Sequence, residues 1–234
     1  TTNTHFGYIF GAGSYSDHSS VIPTSLKTVI MTGGTSIGNS AFESCYNLTS
    51  VTIPDSVTSI GNSAFYDCDS LTNIIVAESN PYYASVDGNL YNKAKTQLLR
   101  YATGKAYTEF TVPSSVTSIG AYAVYGAQNL TSVTVSGNVT EIVSHAFRDC
   151  DNLKRVYMGD GIKSIGAFAF AMCESLESVR FGLGLERIQN EAFYACNTLA
   201  DISLPDTLTS IGASAFAATA YYKTASNWEN GVLY

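Results

Sequence analysis

Residues 142–211 read IVSHAFRDCDNLKRVYMGDGIKSIGAFAFAMCESLESVRFGLGLERIQNEAFYACNTLADISLPDTLTSI, and one apolar template returns through them without slipping a residue. Ile142, Ile165, Ile188 and Ile211 are 23 residues apart, and so are Phe147, Phe170, Phe193 and Phe216. The same interval links Cys150, Cys173 and Cys196, and likewise Leu153, Leu176 and Leu199. A period of this length is one coil of a solenoid, because a single coil cannot bury its apolar face until neighbours stack on it.

Working outward, the template extends back to Leu26. One unit runs Leu48, Val51, Ile53, Pro54, Val57, Ile60, Ala64, Phe65, Cys68. Its segment Leu-x-x-Val-x-Ile alternates inward and outward like a strand with one buried face. Pro54, Pro113 and Pro205 directly follow that strand and stop it. The run from Gly61 to Phe65 reads as a turn and a short helical return, with Asn62 or Ser63 available to cap it. Stacked coils then give a parallel sheet joined by right-handed crossovers.

The expected fold is therefore an α/β solenoid: a right-handed coil with a parallel β-sheet on its concave face and short helical returns on its convex face. Residues 1–25 lie outside the period and read as an N-terminal cap over the open first coil. Residues 26–216 form the solenoid, and its register breaks once. Ile74 and Phe110 play the same strand role but stand 36 residues apart, 13 more than the period. The surplus falls in about 78–105, where Leu90-Tyr91 and Leu98–Tyr101 flank Asn92–Thr96 as a β-hairpin insert replacing one return. Residues 217–234 echo it, Tyr221-Tyr222 before Gly231–Tyr234 paralleling Tyr82-Tyr83 before Gly88–Tyr91, and read as the truncated start of a second insert.

Composition narrows function. With 45% apolar and 13% charged residues, the chain supports a continuous core. Its 12 basic and 19 acidic residues, net −7, provide no general basic field for nucleic acid or anionic lipid. No run approaches the roughly 18 apolar residues of a membrane span. Five cysteines are an odd number, all in one slot of the repeat, and read as a column of buried thiols behaving as small hydrophobes. Their long interval suits no metal site. The histidines His5, His18 and His145 share no spacing with a nucleophile or carboxylate, and His145 reads as a surface residue of a return. No cofactor is expected.

The unit at residues 48–68, together with Ile165–Cys173 and Ile188–Cys196, resembles the BspA-like leucine-rich repeat, and Asp87–Lys93 resembles an insert recurrent in that family. The resemblance covers roughly residues 22–234, resting on period, Pro position and the Ala-Phe-x-x-Cys signature together. The chain departs from the common leucine-rich pattern eight positions after the first Leu. Ser56, Ser115, Asn138, Gly161, Gly184 and Thr207 stand there, so no continuous asparagine ladder is expected. What the resemblance implies is a secreted or cell-surface protein of host-associated bacteria, or of some parasitic protists, used for adhesion. It implies no catalytic residues.

The outward strand positions are the expected binding surface. Most are small and polar, as in Ser50 and Thr52, or Ser132 and Thr134. Arg155, Tyr157 and Arg180 are the exception, cationic and aromatic side chains on adjacent strands in an acidic protein. Such residues are enriched at binding hot spots, and two arginines clamp a carboxylate or sulfate. A second candidate set is the tyrosine cluster of the insert, Tyr82, Tyr83, Tyr91 and Tyr101, whose rings would stack on sugars or anchor a protein. The expected activity is a non-enzymatic, monomeric adhesion and recognition module, binding an extracellular host protein or glycan. The competing expectation is a structural spacer within a larger surface enzyme.

Overall fold

A computed structural model describes residues 18–224, 228–229 and 232–233 of the chain, which divides into two units, Thr1–Lys105 and Ala106–Tyr234.

The first unit opens with one helical turn, α1 (His18–Val21), followed by β1 (Thr28–Ile30), β2 (Ser36–Ile37), β3 (Ser50–Ile53), β4 (Ser59–Ile60) and β5 (Asn73–Val76). β1, β3 and β5 pair in parallel, with Val29, Val51 and Ile74 in one inward row. β2 and β4 form a second parallel pair that aligns Ile37 with Ile60. Between the two sheets lies a core that includes Phe42, Cys45, Leu48, Phe65, Cys68 and Leu71, with Ile22 and Met31 packed against it. The expected N-terminal cap falls mostly on residues 1–17, outside the described residues.

The insert is a three-stranded antiparallel meander: β6 (Tyr83–Val86), β7 (Asn89–Asn92) and β8 (Gln97–Arg100). The sequence pattern pointed to two strands; β6 was not anticipated because its residues Tyr-Ala-Ser-Val are all half-buried and show no alternation. Two asparagines hold the turns. Asn80 donates to the carbonyls of Pro54 and Val57 at 2.8 and 2.9 Å while its Oδ1 accepts from the amides of Tyr82 and Tyr83. Asn92 Oδ1 accepts from the amides of Thr96 and Gln97. Gly88 sits at φ +67, and a Cβ there would lie 2.8 Å from the Thr72 carbonyl oxygen, so the turn requires glycine.

The second unit repeats the coil. β9 (Glu109–Thr111), β11 (Ser132–Val135), β13 (Arg155–Met158) and β15 (Ser178–Arg180) form one parallel sheet, extended by a bridge from Ser178 to Asp201. β10 (Ser118–Ile119), β12 (Glu141–Ile142), β14 (Ser164–Ile165), β16 (Arg187–Ile188) and β17 (Ser210–Ile211) run parallel in register, aligning Ile119, Ile142, Ile165, Ile188 and Ile211. Phe147, Phe170, Phe193 and Phe216 stack face to face with ring centres 5.0–5.3 Å apart. After them come a helical turn, α2 (Ala220–Lys223), and a short antiparallel pair, β18 (Trp228–Glu229) with β19 (Val232–Leu233).

The expected helical returns are corrected: among the described residues, helix is confined to α1 and α2. Each return is a chain of tight turns. In the coil around Phe147, the Ala146 amide donates to Val143 O and the Arg148 amide to His145 O. The alternate amides of His145, Phe147 and Asp149 donate to Ala167, Ala169 and Ala171 in the next coil at 2.8–3.0 Å. Two left-handed residues per return, such as Ser63 and Asp67 or His145 and Asp149, turn the chain away from helix. A helix would spend those amides within its own coil; the turns spend them between coils.

The cysteines also do more than fill space. The thiols of Cys68, Cys150, Cys173 and Cys196 donate to the carbonyls of Phe42, Val124, Phe147 and Phe170, each in the preceding coil, at 3.0–3.2 Å. Burial pushes the thiols of Cys45 and Cys196 up to about 12, so both remain protonated, and Cys196 keeps the hydrogen it donates. By contrast, the position that would carry an asparagine ladder is broken. Ser56, Asn138 and Thr207 reach carbonyls of the coil behind, and Gly161 and Gly184 have no side chain with which to do so.

Candidate functional site

The candidate surface is the outward face of the β9–β11–β13–β15 sheet. Parallel pairing places Glu109, Ser132, Arg155 and Ser178 in one row, and the bridge adds Asp201. Thr111, Thr134, Tyr157 and Arg180 form the second row. The strands present these residues because their neighbours Val133, Val156 and Val179 turn into the core, and successive side chains point to opposite faces. The structure thus brings Arg155, Tyr157 and Arg180 together on two adjacent strands, with all three exposed and Tyr157 at 42%.

The electrostatics separate these arginines from their neighbours. Elsewhere in the unit, Arg148 pairs with Asp149 at 3.6 Å, Lys154 with Glu177 at 3.7 Å, and Lys163 and Arg187 with Glu186 at 3.2 and 3.6 Å. Arg155 and Arg180 make no ion pair and no side-chain hydrogen bond among the described residues. Their guanidinium forks are open to an external anion.

The insert tyrosines divide. Tyr91 and Tyr101 are 2% and 1% exposed and belong to the insert's own core, which removes them from the candidate binding set. Tyr83 is half-buried, and its hydroxyl accepts the Ile60 amide at 3.0 Å. Tyr82 alone of the four presents an exposed ring, at 51%. The sequence reading failed here because an insert of three strands is large enough to bury side chains of its own. Lys105 shares that interior: its ammonium donates to the Asp87 carbonyl and, at 2.8 Å, to Asn89 Oδ1, and lies 5.2 Å from the Tyr101 ring centre. Burial lowers its pKa, with Asp87 opposing.

A further cluster was not singled out in the sequence. Tyr122, His145 and Phe168 stack in parallel on the return face, with centres 4.8 and 5.0 Å apart, all three in left-handed conformation. Arg148 lies 5.8 Å from the Phe168 ring centre. His145 is therefore a sandwiched, half-buried ring and not a plain surface residue. Burial lowers its pKa, helped by Arg148 and opposed by Asp149. The signal was present: 122, 145 and 168 share the 23-residue interval.

No group of three or more His, Cys, Asp or Glu close enough to share a metal occurs among the described residues. No described helix is long and apolar enough to cross a membrane.

Stacked 23-residue coils, a parallel strand face and tight-turn returns define a leucine-rich repeat solenoid. The chain belongs to the BspA type leucine-rich repeat family, whose pattern matches residues 23–92 and 101–223 in six copies. It is similar to the structure of a leucine-rich repeat protein from Eubacterium ventriosum, at 28% identity and a TM-score of 0.53, covering 88% of this chain and 68% of that one. It is also similar to a leucine-rich cell surface protein from Faecalibacterium prausnitzii, at 26% identity and a TM-score of 0.54, covering 81% of this chain and 60% of that one. A third similar structure is the pneumococcal vaccine antigen PcpA, at 30% identity and a TM-score of 0.52, covering 76% of this chain and 38% of that one. Among curated proteins, none matches this chain.

Proposed function

We propose that the chain is a non-catalytic recognition module of a bacterial surface protein, which binds an extracellular host protein or glycan through the outward face of β11, β13 and β15. The observation that carries this reading is the pair of exposed arginines Arg155 and Arg180, set around Tyr157, which make no ion pair among the described residues, whereas Lys154, Lys163 and Arg187 each lie within ion-pair distance of Glu177 or Glu186. Arg and Tyr dominate binding hot spots because they join large contact area to directional hydrogen bonds. Extracellular placement is supported by family membership and by the similarity to a protein described as cell-surface. Tyr82 is a secondary contact on the insert.

The test is binding of the purified domain to immobilised extracellular matrix proteins and to a glycan array, against an Arg155→Ser, Tyr157→Ser, Arg180→Ser variant of matched melting temperature. Saturable binding that disappears in the variant is the expected result. Binding undiminished in the variant places recognition on another surface. Absence of binding to any probe favours the spacer reading.

A further inference from the structure

Two adjacent strands and two rows define a square of four side chains. Arg155 and Tyr157 stand on β13, with Ser178 opposite the first and Arg180 opposite the second. The guanidinium groups occupy one diagonal and the two hydroxyls the other. Strands lie about 4.8 Å apart and alternate positions about 6.6 Å, so the diagonal spans about 8 Å at the backbone. Side chains as long as arginine close that span on a single oxyanion. Every corner donates, and arginine forks match the paired oxygens of a carboxylate or sulfate.

The surroundings set the size of the ligand. Arg155 is flanked in its row by Ser132 and Ser178, and Thr134 adjoins Tyr157, so small polar side chains leave a flat floor around the square. Glu109 and Asp201 end the same row, two strands away on either side of Arg155, roughly 10 Å at strand spacing. A polyanion running across the strands would pass directly over both carboxylates and be repelled by them, inside the Debye length of about 8 Å at physiological salt. Asp201 stands one strand beyond the Ser178 corner, and its one negative charge is outweighed by the two guanidinium groups, so the centre still favours a single oxyanion. Tyr157, a corner of the square and 42% exposed, offers a ring face for the apolar face of a pyranose.

We infer that the Arg155–Tyr157–Ser178–Arg180 square is a subsite for a singly charged acidic sugar, one ring bearing one carboxylate or one sulfate ester. This rests on the reading of the strand face as the recognition surface and names its ligand class. The guanidinium pair holds the oxyanion, the Ser178 and Tyr157 hydroxyls take its remaining lone pairs, and the Tyr157 ring supports the sugar.

The probes are sialyllactose, sulfated lactose, neutral lactose, heparin and a glutamate-terminated peptide, titrated against the wild-type domain. Two variants, Arg155→Lys with Arg180→Lys and Arg155→Ser with Arg180→Ser, are compared at matched melting temperature. The expected result is saturable binding of one or both singly charged sugars, at least tenfold tighter than lactose. It weakens about tenfold in the lysine variant, which keeps charge and loses the fork, and is lost in the serine variant. Sialyllactose alone or sulfated lactose alone identifies the oxyanion. Equal binding of lactose and the acidic sugars overturns the proposal, as does binding of heparin only or of the peptide only. If no sugar binds but an immobilised matrix protein does, and the serine variant abolishes that binding, the sugar class falls and the recognition surface stands. If nothing binds at all, both fall.

Discussion

Each unit buries the same kinds of residue inside, and the two differ at the strand face those residues support. In the first, Ile30, Thr52 and Ile75 form the outer row of the strand face, with the isoleucines 67% and 41% exposed. In the second, the equivalent row reads Thr111, Thr134, Tyr157 and Arg180. Beneath both rows the same valines, isoleucines and phenylalanines are buried, and Phe42 and Phe65 stack at 5.4 Å much as Phe147 and Phe170 do at 5.0 Å. What the difference teaches is that the repeat fixes the coil, and outward strand positions such as Ile30, Ile75 and Tyr157 are free to vary because they are exposed. Function is therefore to be sought where the outward positions depart from small polar residues, and the charged departure lies in the second unit alone.

The largest effect tests whether the interiors are equivalent. Phe65→Ala and Phe170→Ala each remove a stacked, fully buried ring, and each is expected to cost about 3–5 kcal/mol in urea unfolding. If one unit tolerates the change, the shared-scaffold premise breaks. A smaller loss, about 1–3 kcal/mol, is expected for Cys68→Ala and Cys173→Ala, which leave the carbonyls of Phe42 and Phe147 without their thiol donor. A thiol that reacts readily with alkylating reagents in the native protein would contradict the burial that keeps it protonated.

The return faces sharpen the comparison further, since His145 has its counterpart at Ser63 in the first unit. Its folded pKa lies below the unfolded value of about 6.5, so the unfolded chain takes up the proton first. Stability contributed by the neutral ring is present above that value and is lost as pH falls from about 6.5 towards the folded pKa. Chemical unfolding across pH 5–7 should show that loss, and His145→Gln should flatten it; an unchanged slope in the variant assigns the loss to other groups. The smallest effect is on the strand faces. Ile30→Ser with Ile75→Ser, and Arg155→Ser with Arg180→Ser, should each stay within about 0.5 kcal/mol per site of wild type, because these side chains are exposed.

The strands, their register and the buried columns were legible because each is an interval repeated through the chain: Val133, Val156 and Val179 occupy one slot as surely as Phe147, Phe170 and Phe193 do. The returns were misread for a local reason. Ala64, Phe65 and Cys68 have the spacing of a helix face, and nothing in Ser63 or Asp67 announces a left-handed backbone that serves hydrogen bonds to the next coil. Exposure in the insert was misjudged because Tyr91 and Tyr101 lie outside the repeat, where no column gives their direction away. Of the candidate site, the alternation rule placed Arg155, Tyr157 and Arg180 together. Their lack of ionic partners needed the structure, because Lys154 and Arg155 are neighbours in sequence and nothing in it says that Glu177 pairs with Lys154.

The most direct test sets the two faces against each other. Wild type, the Ile30→Ser, Ile75→Ser variant and the Arg155→Ser, Tyr157→Ser, Arg180→Ser variant are titrated against whichever matrix protein or glycan the wild type binds. The account predicts that the first variant binds as wild type and the second does not bind. Loss of binding in the isoleucine variant with retention in the arginine variant would contradict it.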